Sequence, residues 1–317
     1  MKIKSCIRII ITVCFMLSIK VSTVYGGVSE DNMQFLKINP SAREAGIGDG
    51  YTGLGDSVNA VFYNPAGLIN LSKVEISLMH MMYVAETSYE YGALVIPVNE
   101  KLKIGIHAIY LNYGVMTGTL EDNTGMYAGT NGSFTPYNLA AGLSFGYEIL
   151  NGMGIGGSLK YAVEDIAGSR ISGIFGDIGM ICRIENIGLG ASLCNMGGTA
   201  DGDKPPAIVR AGVTSKFKIL SDDDLLVAFG ANYVLASGKV TESIGTEYWY
   251  EGLIGIRGSY GIGHDAGNIN IGAGVRSNLG EGIIYGVDYN LNLLGDLGSA
   301  HRISLSVQFG DDNTRKR

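Results

Sequence analysis

Charge is scarce in this 317-residue chain, at 17% of positions, and the basic side chains are the fewer: 23 Lys and Arg against 30 Asp and Glu, for a formal net charge of −7. Nucleic acid needs a basic footprint, so that balance excludes it as a partner. Proline occupies only 6 positions while 18 are tyrosine and 46% are hydrophobic, which excludes a disordered low-complexity chain. The histidines His80, His107, His264 and His301 are too dispersed for a helical metal motif, and no serine or cysteine nucleophile stands beside them. Catalysis, a metal and any cofactor are therefore not expected. Past Gly27 no apolar run approaches the roughly 20 residues that a spanning helix requires.

The first segment differs from the rest. Lys2, Lys4 and Arg8 precede the apolar run Ile9 to Ile19, and Val24-Tyr25-Gly26 ends on short residues suited to a signal peptidase. This layout predicts a secretory signal peptide over 1–26, cleaved between Gly26 and Gly27, and hence export. Cleavage also removes two of the four cysteines and leaves Cys182 and Cys194. A turn at Glu185-Asn186 would set Cys182 opposite Leu189 and Cys194 opposite Asp177, on opposite faces of a hairpin. Both are expected to be reduced, although the compartment is oxidising.

Glycine is abundant instead, with 48 residues, about twice ordinary usage. No G-X-Y period accompanies it, and glycine costs about 1 kcal/mol per helical position relative to alanine, so the composition leans all-β. From about Lys73 the chain alternates with period two. Ile155, Leu159, Tyr161 and Val163 face one way against Ser158, Lys160 and Glu164; Ile178, Met180, Cys182 and Ile184 stand against Asp177 and Arg183. Thirteen such segments of roughly 8 to 12 residues can be marked, with a fourteenth expected in Gly114–Thr135 or from splitting Ser237–Tyr260. Strands of this length cross a bilayer when tilted, tyrosines gather near their ends, and the polar face carries both signs of charge, which a dry sandwich core would hold only at high cost. The predicted fold is an all-β transmembrane antiparallel barrel over 73–309, whose outer face meets outer-membrane lipid. Its inward charges are expected to be Lys160, Glu164, Asp177, Arg183, Arg210, Glu251, Arg257, Arg276 and Asp288, mixed in sign as in a filling network rather than sorted into a selective ring.

The segment before the strands reads Ser41-Ala42-Arg43-Glu44-Ala45-Gly46-Ile47-Gly48, then Asp56-Ser57-Val58-Asn59-Ala60-Val61-Phe62-Tyr63, then Asn64-Pro65-Ala66-Gly67-Leu68. It resembles the N-terminal region of the PorV/PorQ family, related to the FadL-type outer-membrane transporters, and the Asn-Pro-Ala-Gly-Leu stretch is the most specific element. Asn195-Met196-Gly197, Pro206 to Gly212 and Leu297 to Leu305 resemble later landmarks of the family in the same order, so the likeness covers nearly all of the chain after the leader. Asp49-Gly50 and Ser259 depart from its pattern. The resemblance implies a monomeric barrel of about 14 strands with an N-terminal hatch, 27–72, folded into the lumen. The last strand, with Ile303, Leu305, Val307 and Phe309 on one face, resembles the sorting signal read by barrel assembly machinery, except that a charged tail, 310–317, follows it.

Other motifs carry less. Gly48 to Gly53 and Gly152 to Gly157 both match G-x-G-x-x-G, but neither follows a strand and opens a helix as a nucleotide site must. Asp222-Asp223-Asp224 lacks the glycine and distant glutamate of a calcium loop. Two functions follow from the resemblance. PorV-like membership implies an accessory of type IX-like protein secretion that binds exported cargo proteins. FadL-like membership implies a channel for hydrophobic small molecules such as long-chain fatty acids, gated by the hatch at Asn64, Pro65, Ala66, Gly67 and Leu68. The secretion accessory is the leading expectation.

Overall fold

The computed structural model describes residues 32–199, 205–220, 222–278, 280 and 282–310. The leader with Gly26 and Gly27, and the tail beyond Gly310, lie outside the described residues.

Period-two alternation becomes fourteen strands that close on themselves. In chain order the strands are β1 Val74–Met82, β2 Ser88–Pro97, β3 Leu102–Asn112, β4 Met116–Glu121, β5 Tyr127–Phe134, β6 Tyr137–Leu150, β7 Met153–Ile166 and β8 Ser169–Ile184. There follow β9 Ile187–Thr199, β10 Ile208–Lys218, β11 Asp224–Val234, β12 Val240–Tyr250, β13 Ile254–Ile262, β14 Ile269–Asn278, β15 Ile284–Leu293 and β16 Ser299–Phe309. All neighbours in the barrel are antiparallel, and β16 returns to β1 in register from Val74 opposite Phe309 to Met82 opposite His301. Strands β4 and β5 stay outside the barrel as a separate hairpin. Closure leaves no free edge among the fourteen, the condition for a sheet in lipid.

The fourteenth strand comes from the split within Ser237–Tyr260, while Gly114–Thr135 supplies the hairpin. Glu251 is accordingly not a lumen charge: it stands exposed in the turn 251–253 with φ 49°, beside Gly252 at φ 65°. Tyr248 and Tyr250 before this turn and Ile254 and Ile256 after it all keep the even, outward phase. The alternation thus runs through the turn unbroken, which is why the sequence reads as one strand.

Outside, apolar side chains alternate along every long strand, as at Leu143, Phe145, Ile178, Ile256, Ile271 and Leu305. Tyr147, Tyr161, Tyr250, Tyr260, Tyr285 and Tyr289 are exposed among them toward strand ends. No helix among the described residues is long and apolar enough to cross a membrane. Cys182 lies opposite Leu189 on the outward phase, whereas Cys194 faces inward against Tyr63 and Ser192, and no disulfide joins them. Next to Cys194, Asn195 takes φ 60° and donates its N–H to Asp177, where the register between β8 and β9 slips.

Inside, residues 33–71 fill the lumen. A 3-10 turn at Gln34–Lys37 leads to α1 Ala42–Ile47, α2 Tyr51–Leu54 and α3 Ala60–Tyr63, then a second 3-10 turn at Pro65–Asn70. Phe35, Leu36, Ile47, Tyr51, Leu54, Val61, Tyr63 and Leu68 are buried there with inward residues of the wall such as Tyr89, Ile109 and Phe175. Helices this short are marginal alone, so the wall holds them. Gly190, Gly212 and Gly230 sit opposite one another on β9, β10 and β11 and form a bare row. The backbone of α2 and its approach lies on that row: a Cβ on Gly190 would stand 2.1 Å from the Thr52 carbonyl oxygen, and one on Gly230 would stand 2.3 Å from the Gly50 nitrogen.

Candidate functional site: a cavity above an anchored plug

The plug is fixed to the wall by ionic and polar contacts. Arg43, on α1, forks onto Glu247 of β12 through Nε at 2.8 Å and Nη2 at 2.7 Å, and reaches Asp56 through Nη1 at 2.8 Å. Lys216 of β10 holds Asp56 from the other side at 3.0 Å. Burial alone would raise the Asp56 carboxyl, but Arg43 and then Lys216 outweigh it and hold the group well below the usual carboxylate range. Burial alone would likewise weaken the Arg43 charge; Asp56 and Glu247 outweigh it and keep the guanidinium protonated. Arg257 approaches Glu247 at 3.4 Å and pairs with Asp288 at 2.5 Å.

Asn64 ties the second turn down. Its amide donates to the carbonyls of Thr52 and of Met180 in β8, both at 3.0 Å, while its oxygen accepts the Ala66 N–H. Pro65 opens the 3-10 turn, and Gly67 packs directly on Gly55. Leu68 lies against Gly146. The stretch Asn64 to Leu68 is thus buried and bonded at the wall.

The other inward charges are scattered. Lys160 pairs with Asp177 at 2.8 Å, Arg183 donates to the Leu54 carbonyl, and Arg276 stacks on Trp249 at 4.1 Å. Glu164 accepts the Met33 N–H. On β16, Ile303, Leu305 and Phe309 point outward and Val307 is half-buried beside them.

Above the plug, toward the mouth that carries the long 113–136 connection, a cavity of about 580 Å³ opens. Phe35, Ile38, Tyr83, Val84, Leu111, Tyr113, Val234 and Leu294 give it apolar walls. Arg210 and Arg302 also line it, and both are buried. Neither forms an ion pair among the described residues. Arg210 lies over the rings of Phe62 and Tyr63 at 5.3 and 5.6 Å, and its Nε has no hydrogen-bond partner. Arg302 donates to the Asn39 carbonyl at 3.3 Å and to Asn290 at 3.1 Å. At the rim His264 approaches Asp49 at 3.8 Å, and Lys239 pairs with Asp265.

Of the residues marked in the sequence as sites, only Arg210 borders this cavity. The stretch Asn64 to Leu68 does not; the plug contributes residues 34, 35, 37–39, 45 and 48–49 instead. Arg302, Arg43 and Glu247 went unmarked. Strand phase was the signal that could have found two of them, since Arg302 shares the inward phase of Ser304 and Glu247 that of Ser243.

No protein-family model matches the chain, and no curated protein matches its sequence. Solved structures do. The Pseudomonas putida toluene transporter TodX superposes with a TM-score of 0.54 at 12% identity, covering 84% of this chain and 97% of that one. The Ralstonia pickettii toluene transporter TbuX gives 0.52 at 11% identity, covering 80% and 92%. A FadL homologue from Pseudomonas aeruginosa gives 0.50 at 11% identity, covering 85% and 98%. At such identities the likeness is one of fold: a closed, outer-membrane-type barrel of FadL-like architecture.

Proposed function

We propose that this barrel carries hydrophobic small molecules with an acidic head, such as long-chain fatty acids, through the outer membrane, and that the cavity above the plug is where they first bind. The observation that carries the reading is the pair Arg210 and Arg302: two buried guanidinium groups without carboxylate partners among the described residues, set among aromatic and aliphatic walls. A buried charge left unpaired is costly, and a carboxylate with an apolar tail would satisfy both the charge and the walls. The fold shared with toluene transporters supports a channel over the secretion accessory that the sequence put first.

Displacement of a fluorescent fatty acid by oleate tests this in the purified barrel. Replacing Arg302 with Met should weaken oleate binding by about ten- to a hundredfold, the worth of one charge-assisted hydrogen bond at about 1.5–3 kcal/mol. Binding of toluene, which has no acidic head, should not change. A wild-type barrel that binds neither molecule would refute the reading.

One observation favours a partner-binding role as a second reading. The β4–β5 hairpin has solvent on both faces and displays Met126 and Tyr127 at 66% and 71% exposure, although a lone two-stranded hairpin is marginal in water. Deleting 116–134 should leave oleate binding intact and abolish cross-linking to exported proteins if that role holds.

A further inference from the structure

The outer wall is not uniformly convex. One register row runs from Ile104 on β3 through Phe145, Gly157, Ile178 and Leu193 to Val209 on β10. Along it the outward position on β7 is a bare glycine, and next to Leu193 on β9 the outward residue is only Ala191. Phe145, Leu159 and Ile178 stand 47%, 62% and 57% exposed around this gap. The result is a furrow of about 870 Å³ in the outward face.

We infer that the furrow seats one acyl chain of a membrane phospholipid. It lies within the band of outward Leu, Ile and Phe side chains, where hydrocarbon is the surrounding medium, and an empty apolar hollow there would forfeit packing on every wall. Its direction fits a single leaflet. Six strands at sheet spacing make the row about 24 Å long. Strands in such barrels tilt by about 35–45°, so a row at right angles to them descends about 15 Å, close to half the roughly 30 Å hydrocarbon core. The site shares no residue with the cavity above the plug, so it stands or falls apart from the transport reading.

The test is lipid retention. The full chain is reconstituted in dioleoyl-phosphatidylglycerol vesicles, extracted into detergent and weighed intact by native mass spectrometry. Gly157→Leu fills the furrow; a Cβ there meets the edge of the Phe145 ring at 3.0 Å, the movable end of a side chain. Ala191→Phe fills it from β9, two strands away. Gly258→Leu is the control, an outward glycine on β13 with only the Asn270 carbonyl near, at 3.5 Å. Heat-dependent gel mobility confirms that each barrel is folded. Wild type and Gly258→Leu should retain a phosphatidylglycerol adduct that Gly157→Leu and Ala191→Phe both lose. An adduct equal in all four barrels, no adduct in wild type, or a dimer mass that the filled variants abolish would each overturn the inference.

Discussion

Replacing Arg43 with alanine should release the plug while leaving the barrel closed. The side chain is 6% exposed and its partners Glu247 and Asp56 are 2% and 18% exposed. Removing one member of a buried pair costs about 3–5 kcal/mol, because the other charge stays buried without compensation. Here the lower end applies. Asp56 keeps Lys216, a half-exposed cation at 3.0 Å, and Glu247 keeps Arg257 at 3.4 Å. About 3 kcal/mol remains, roughly a hundredfold in the equilibrium between seated and released plug. Hydrogen exchange followed by mass spectrometry reads it directly: peptides from 33–71 should exchange about a hundredfold faster, and those from β6 to β9 at the wild-type rate. Arg43→Lys should fall between, since an ammonium cannot fork onto Glu247. A double-mutant cycle with Glu247→Gln should return a coupling well above that of a surface pair, which is about 0.2–1 kcal/mol. Unchanged plug exchange in Arg43→Ala would refute the reasoning. Equal acceleration throughout the strands would refute it too, because the network would then hold the barrel rather than the plug.

Other outcomes follow from the same contacts. Gly190→Val should unseat the plug at about 1–3 kcal/mol, since its Cβ would meet backbone at 2.1 Å, whereas Gly198→Val, with open space around it, should leave plug exchange unchanged. Asp56 titrates below its unfolded value, so its stabilisation is complete above that value and disappears as pH falls through the depressed one. Single-barrel conductance should therefore stay low from neutral pH down to about 4 and rise only below it, and Asp56→Asn should conduct more at neutral pH with the acid-dependent step reduced. Alkylation of the unfolded, unreduced chain should label both Cys182 and Cys194, and a mass shift on reduction would overturn their placement on opposite faces.

Strand phase was legible because a membrane barrel obliges every strand to separate an apolar from a polar face, and a single chain displays that separation without help from its neighbours. The same rule misled at Glu251. A three-residue turn between strands of equal phase preserves the alternation, so only the positive φ of Glu251 and Gly252 distinguishes it from a continuous strand. Contacts across the lumen were not legible at all. Arg43 and Glu247 are 204 residues apart, and nothing in either segment names the other.

The glycine excess shows where that limit lies. Phase alone sends Gly190, Gly212 and Gly230 to the lumen, where they could equally relieve crowding among side chains or admit another backbone. Register decides between these. Pairing sets the three in one row, and the plug backbone from Asp49 to Gly53 lies on it. A row that served side-chain packing would tolerate alanine wherever a neighbour could turn aside. Against carbonyls and amides nothing can turn aside, so alanine at each of the three should loosen the same plug segment. Gly157 has the outward phase, and no plug meets it: the nearest atoms to its missing Cβ belong to the Phe145 ring. One residue type therefore does two jobs, and the face it occupies separates them. Inside, absent side chains let the plug backbone touch the wall; outside, a single absent side chain opens a furrow toward lipid.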